Sequence, residues 1–209
     1  MKSKMKISQL IRNFDDEVDS KAGWLDVHIS IMFNEAHEIK DTIYIFKTVE
    51  AEWNRRFESG EKIGYSAIRT ILYESLPYKI ILGLSKIFVG SREYSLLKTI
   101  NVISQMDEYK NNIDVKKVIS EIEDYIETSE MVTIITTYRD QFFAHLDKDC
   151  VLSDCRIDQT VPVDRIKEPE IDECIRLIRK LYNVCFNQNL EYHSKELSQK
   201  DIIYTFFWM

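Results

Sequence analysis

A run of regularly spaced apolar residues near the start of the chain constrains the fold more than any other feature of the sequence. Between Leu25 and Trp53 the apolar residues recur at steps of three and four positions: Ile29, Met32, Ala36, Ile39, Ile43, Phe46 and Val49. This spacing places them on one stripe of an α-helix. A helix of about 30 residues is roughly 45 Å long. We therefore predict a long helix that projects from the domain within a hairpin.

Residues that form turns are scarce in this chain. There are only 5 glycines and 3 prolines among 209 residues, whereas all-β and doubly wound folds need many more turns. The chain is also long enough to bury a full core as one domain. The sequence therefore predicts an all-α protein, in which residues 1–209 form a single up-and-down helical bundle with a long N-terminal helix.

The boundaries inside this domain follow from breaks in the helical period. Residues 1–20 are expected to form an N-terminal extension, and residues 190–209 an aromatic C-terminal tail that docks on the body or on a second subunit. Pro77 should kink or split a helix. Residues 146–168 carry no helical period and are expected to form a long loop. Pro169 then suits the first turn of another helix.

The charge and the apolar runs restrict the partners and the compartment. A net charge of −7 argues against a protein that coats phosphate backbones, so any contact with nucleic acid must be local. No uncharged apolar run approaches the roughly 20 residues of a membrane span. The basic start is interrupted by Arg12, which is unlike a secretory signal. Four cysteines in the last third form no disulfide framework. We expect a cytoplasmic protein without a membrane partner.

The stretch TTYRDQFFAHLDKD, residues 136–149, carries the residues with the clearest chemical potential. His145 can accept and donate a proton near neutral pH. Arg139 can hold a phosphate or its transition state through several donors, and Asp140 can orient one of these groups. A base, a phosphate-binding cation and an acid are what a metal-free ribonuclease needs. No cofactor or metal is expected.

Helix geometry bears on how these residues would act. Arg139 and His145 are six positions apart, which on a helix means about 9 Å of rise and about 120° of rotation. A single chain would therefore supply only one arginine and one histidine, set apart from each other on the helix. Two motif helices related by a two-fold axis would supply two arginines and two histidines around one groove, across an isologous interface. The motif helix is therefore predicted to lie at a dimer interface.

The segment YRDQFFAHLDKD resembles the signature of HEPN domains, which are all-α domains of prokaryotic defence and toxin systems. The continuation Ala-His-Leu-Asp-Lys, and the upstream segments ILYESLPYKIILGLSKIF and SREYSLLKTINVI, are similar to the AbiU-type abortive-infection branch. The resemblance covers roughly residues 25–186. It implies a homodimer with paired motif helices, and metal-independent cleavage of RNA that leaves a 2′,3′-cyclic phosphate.

The resemblance also implies roles for individual residues. Arg139, Asp140 and His145 take the catalytic positions of the family motif, and Lys148 and Tyr138 are candidate substrate-binding residues beside it. RNA is the implied substrate, in phage defence or as a toxin with a neutralising antitoxin partner. Some HEPN domains are inactive scaffolds or bind nucleotides. A non-catalytic HEPN dimer, serving as a protein-interaction or nucleotide-binding module, is therefore the alternative.

Simpler interpretations of the same residues stay open. Arg139 and Asp140 fit a solvated helix face, and a histidine is favoured at a helix C-terminus. A third hypothesis is a coiled-coil scaffold whose functional surface is the apolar stripe of residues 25–53. Four residues separate His145 from Cys150, and four separate Cys150 from Cys155, which is unlike the paired ligands of common zinc sites.

Other polar residues are expected to be solvent-facing. His28 and His37 lie off the apolar stripe of the long helix. Arg176, Arg179 and Lys180 lie within about one helical turn of one another, and such a group is more often a solvated face than an RNA-binding patch.

Overall fold

The computed structural model describes residues 21–61, 65–88, 95–146, 163–192 and 198–207, and all regular structure in these ranges is helical. The helices, in chain order, are α1 Lys21–Glu58, α2 Tyr65–Thr70, α3 Leu76–Phe88, α4 Leu96–Gln105, α5 Ile113–Thr128, α6 Glu130–Leu146, α7 Glu168–Phe186 and α8 Gln199–Phe207. A π-helical turn, Ile71–Ser75, joins α2 to α3, and a 3-10 turn, Val163–Arg165, precedes α7. The predicted all-α class is confirmed.

Three predicted segments fall wholly or partly beyond these ranges. The N-terminal extension, residues 1–20, residues 147–162 of the predicted loop, and residues 193–197 and 208–209 of the predicted C-terminal tail lie outside the described residues. The end of that loop is ordered by burial, because Val163 and Ile166 are both almost fully buried. None of the helices α1–α8 combines the length and the apolar character that a membrane crossing requires.

Helix α1 lies at the centre of the bundle. Its apolar stripe is buried along the whole length, from Leu25 with 0% exposure to Trp53 with 6%. Helices α3, α4, α7 and α8 all contact it. The prediction of a long helix is confirmed, but the prediction that it projects as a hairpin is wrong. The stripe is an internal surface, which also rules it out as the exposed face of a coiled-coil scaffold.

Helices α1 and α3 approach each other closely at Gly83. A Cβ atom at this position would lie 2.7 Å from Cδ1 of Ile39 and 2.8 Å from Oε1 of Glu35. Both distances are shorter than a normal non-bonded contact, so a side chain at position 83 would require the side chains of Ile39 and Glu35 to move. The absence of a side chain at Gly83 therefore leaves room for these two residues of α1.

The π-helical turn lies directly before Pro77. Its closing bond runs from the N–H of Leu76 to the carbonyl of Ile71, five residues earlier. Proline has no N–H, and its ring clashes with the carbonyl four residues earlier in a regular helix, here that of Tyr73. One widened turn accommodates this ring without ending the helical path. The predicted interruption at Pro77 is thus confirmed, as a bulge between α2 and α3.

Local capping explains where several helices begin and end. The side chain of Asn112 accepts hydrogen bonds from the N–H groups of Asp114 and Val115 at the start of α5. Pro169 lies in the first turn of α7, as the sequence predicted. Asn187 ends α7 with φ 53°, in the left-handed conformation that asparagine tolerates.

The aromatic C-terminal segment docks on the body of its own chain. Ile202 of α8 is almost fully buried in the core, and the guanidinium of Arg56 lies 4.7 Å from the ring centroid of Phe207. Just before α8, the hydroxyl of Tyr192 donates a hydrogen bond of 3.0 Å to Asp41. Burial and this bond raise the pKa of Tyr192 to about 12.

The two histidines of α1 are not solvent-facing, so that prediction is wrong. His28 is 6% exposed, stacks on Trp24 at 3.8 Å, and donates from Nδ1 to the Trp24 carbonyl at 2.6 Å. His37 stacks on Tyr192 at 4.2 Å and meets Phe33 edge-on. Burial, followed by the charge of Arg179, lowers the pKa of His37. Because helices pack on several sides of α1, residues next to the apolar stripe are covered as well as the stripe itself.

Candidate active site

The first turn of the motif helix α6 is held by a residue of α7. Oε1 of Glu170 accepts hydrogen bonds from the hydroxyl of Ser129 at 2.9 Å and from the N–H of Met131 at 3.1 Å. Ser129 in turn accepts from the N–H of Val132 at 3.3 Å. These contacts satisfy backbone donors that a helix start leaves without partners. Glu170 therefore acts as a cap that α7 supplies to α6.

A second set of contacts joins α6 to the turn that precedes α7. The carboxylate of Glu130 accepts from Arg165 at 2.9 Å and from Lys167 at 3.2 Å. The hydrogen bond from Arg165, followed by the hydrogen bond from Lys167 and its charge, lowers the pKa of Glu130. Glu130 is in the first turn of α6, where negative charge also favours the positive end of the helix dipole.

The body of α6 has one buried and one exposed side. Met131, Val132, Ile134 and Ile135 are buried, and α6 packs against α3. The exposed side carries the threonines 133, 136 and 137, whose hydroxyls donate to carbonyls four residues earlier. The prediction that the motif lies on a helix is confirmed.

The motif residues occupy different sides of this helix. Arg139 follows Val132 by seven positions and Ile135 by four, which places it at the edge of the buried side, and its side chain is half-buried. Asp140 follows Thr133 by seven positions, which places it on the side that carries the exposed threonines. His145 belongs to the last turn of the same helix.

Only part of the predicted site can be followed at the level of side chains. Tyr138 is half-buried and packs against the hydrophobic core. The side chains of Asp140 and His145, and the whole of Lys148, lie outside the described residues. The structure therefore places Arg139, Asp140 and His145 on one continuous helical backbone. Contacts among the three side chains, and their pairing across a dimer, stay predictions.

The basic residues Arg176, Arg179 and Lys180 of α7 all contact other side chains of the same chain. Lys180 lies 2.7 Å from both carboxylate oxygens of Glu121, and Arg176 makes two bonds of 2.7 Å to Glu173. Lys180 is the main cause of the lowered pKa of Glu121. The guanidinium of Arg179 lies over the Phe33 ring, 5.2 Å from its centroid. These contacts fit the solvated face that the sequence predicted.

The cysteines that the structure describes are unsuited to catalysis or to metal binding. Burial raises the pKa of Cys174 and of Cys185 to about 12, so both are neutral thiols at physiological pH. Among the described residues, no three His, Cys, Asp or Glu side chains converge as possible metal ligands. Cys150 and Cys155 fall beyond the described ranges.

Sequence reasoning did not identify Glu170 as a structural partner of the motif. The contact with Ser129 spans 41 positions, and no spacing rule within one helix points to it.

Comparisons of the chain with protein-family models, with curated proteins and with solved structures found no match.

Proposed function

We propose that the protein is a metal-independent endoribonuclease of the HEPN type, which acts as a homodimer in phage defence or as a toxin. The observation that carries this proposal is the location of Arg139, Asp140 and His145 on one helix, α6. The first turn of that helix is anchored by Glu170 and by the ion pairs of Glu130. An anchored helix is a suitable support for catalytic groups.

In the proposed reaction, His145 of one subunit removes the proton of a ribose 2′-hydroxyl. The 2′-oxygen then attacks the adjacent phosphorus, and the bond from phosphorus to the 5′-oxygen breaks. The partner's His145, in its protonated form, gives a proton to the departing 5′-oxygen. Arg139 stabilises the negative charge that develops on the phosphate, and Asp140 orients a neighbouring group. The products are a 2′,3′-cyclic phosphate and a 5′-hydroxyl.

The geometry of one helix supports the proposed dimer. Arg139 and His145 are about 120° apart around the α6 axis, so one copy presents them in different directions. A second copy related by a two-fold axis would bring the histidine of one subunit toward the arginine of the other. Lys148 and Tyr138 would then contact the RNA beside the scissile phosphate. A toxin of this kind would need a neutralising antitoxin.

The test is the incubation of purified protein with mixed cellular RNA in EDTA, followed by analysis of the product ends. The wild type should cleave and leave cyclic phosphates. His145→Ala should lose activity by about 100-fold or more, because general acid–base catalysis contributes about that much. Thr137→Ala is the matched control, because Thr137 is exposed on the same helix and donates to Thr133 within it. Cleavage by His145→Ala at the wild-type rate would contradict the proposal.

A non-catalytic HEPN dimer is the second candidate, and the half-buried side chain of Arg139 favours it. An arginine that binds phosphate must reach solvent, whereas one at the edge of the core can serve packing instead. In that case neither the wild type nor His145→Ala would cleave RNA in EDTA. Analytical ultracentrifugation would still find a dimer.

A further inference from the structure

A small cavity lies at the π-helical turn, between α1, the start of α3 and the 3-10 turn before α7. Its volume is about 120 Å³, which gives room for several atoms beyond a single water. The lining residues are Phe46, Glu50, Leu72, Tyr73, Pro77, Val163 and Asp164. Four of them, Phe46, Leu72, Pro77 and Val163, are buried and form an apolar floor. The other three carry acceptor oxygens near solvent.

Two carboxylates, those of Glu50 and Asp164, line the cavity. Among the interactions of the described residues, neither Glu50 nor Asp164 makes an ion pair or a side-chain hydrogen bond. The cations nearest to them in sequence form their ion pairs with other acids: Lys47 pairs with Glu168 at 2.9 Å, and Arg165 pairs with Glu130. Arg165 also interacts electrostatically with Asp164, at a longer range than an ion pair. Burial, followed by the charge of Asp164, raises the pKa of Glu50. A cation that entered the cavity would therefore stabilise the charged form of Glu50.

The shape and the lining restrict what could supply that charge. A bare divalent ion would gain two carboxylates but would sit against an apolar floor, where few oxygen ligands complete its shell. An RNA phosphate would be repelled by both acids. A planar cation with several N–H donors suits the three acceptors, and its flat face suits the Tyr73 ring and the apolar floor.

We propose that the cavity formed by Glu50, Tyr73, Asp164 and the floor residues binds a guanidinium group carried on a short apolar stem. The guanidinium donates to the carboxylates of Glu50 and Asp164, and the stem covers Leu72 and Pro77. The group comes either from a free small molecule or from an arginine side chain of a partner protein. This inference does not depend on the ribonuclease activity.

The experiment titrates the full-length protein with n-butylguanidinium and, in parallel, with n-butylammonium, and follows binding by calorimetry and by NMR. The two probes have the same stem and charge and differ only in the head group. The guanidinium probe should bind more tightly. Equal affinity for both probes would overturn the guanidinium assignment, because charge alone would then account for binding.

Two double variants locate the binding site. Glu50→Gln with Asp164→Asn should weaken the guanidinium probe by at least about tenfold, because two charge-assisted hydrogen bonds are lost. Glu123→Gln with Asp124→Asn removes the same charge from the exposed face of α5 and should leave the affinity unchanged. Equal losses in both double variants would overturn the proposal. Thermal unfolding of each variant shows whether it is folded.

A peptide arm distinguishes the two sources of the guanidinium. The probe is acetyl-Gly-Arg-Gly-amide. Tighter binding than n-butylguanidinium would support a partner protein, and weaker binding would support a free small molecule.

The affinity for either probe should fall as the pH is lowered toward the range in which Glu50 takes up a proton. Absence of binding by both probes at millimolar concentration would overturn the proposal.

Discussion

Two groups of carboxylates in this molecule have opposite electrostatic surroundings. On the face shared by α5 and α7, Glu121 and Glu173 are paired with Lys180 and Arg176, and the pKa of each acid is lowered by its cationic partner. In the cavity at the π-helical turn, burial and a second acid raise the pKa of Glu50. The charged form of a glutamate is therefore stabilised on the α5–α7 face and destabilised in the cavity.

The difference shows which acids are candidates for binding. An exposed carboxylate with a cationic neighbour is already satisfied and has little to gain from a ligand. A partly buried carboxylate beside a second acid gains from any cation that enters. The cavity is therefore a better candidate for cation binding than the α5–α7 face, although that face carries more charges. Three substitutions test this comparison.

The largest effect is expected at Glu170, a carboxylate with structural partners. Glu170→Ala removes the acceptor for the Ser129 hydroxyl and for the Met131 N–H. The free energy of unfolding should fall by about 1–3 kcal/mol, which is the usual range for a lost cap or a buried donor without a partner. Urea denaturation followed by circular dichroism measures this. Glu170→Gln keeps an acceptor oxygen and should be milder; an equal loss in both variants would mean that capping is not the cause.

A smaller effect of opposite sign is expected at Glu50. Because the folded state raises its pKa, the folded protein holds this proton more tightly, and stability falls as the pH rises above about 4.5. Glu50→Gln should therefore stabilise the protein slightly at pH 7. The difference from the wild type should vanish near pH 3. Denaturation midpoints across this pH range provide the measurement, and a destabilised variant at pH 7 would contradict the raised pKa.

The smallest effect is expected at Glu121. Lys180 lowers the pKa of this acid, so its contribution is present above the unfolded pKa near 4.5 and is lost as the pH falls through the lower folded value. Glu121→Gln should destabilise the protein slightly at pH 7 and not at all near pH 2. The same denaturation series measures it. If Glu50→Gln and Glu121→Gln shift stability in the same direction at pH 7, the contrast between the two regions is wrong.

Periodic features of the sequence predicted the fold well. The steps of three and four from Leu25 to Trp53 identified the central helix α1, and Pro77 and Pro169 marked a bulge and a helix start. These predictions succeed because helix geometry and proline stereochemistry act within a few neighbouring residues. The burial of His28 and the contacts of His37 were missed, because they depend on how many partners α1 has.

Contacts between distant segments could not be predicted from spacing. The cavity combines residues near positions 46–50, 72–77 and 163–164, and its carboxylates belong to different segments. Glu170 reaches Ser129 across 41 positions. For the motif itself, the sequence predicted a helix that carries Arg139, Asp140 and His145, and that helix is present as α6. How two such helices would meet depends on a second copy of the chain.

The burial of α1 by α7 and α8 also has a consequence for biosynthesis. Among the described helices, α1 is the first to emerge from the ribosome. Trp53 of α1 and Ile202 of α8 belong to the same core but are about 150 residues apart in the chain. At typical translation rates this interval corresponds to roughly ten seconds or more. During that time the apolar stripe of the nascent chain lacks its final cover. The order of synthesis therefore makes the growing polypeptide a natural client for chaperones that shield exposed apolar helices.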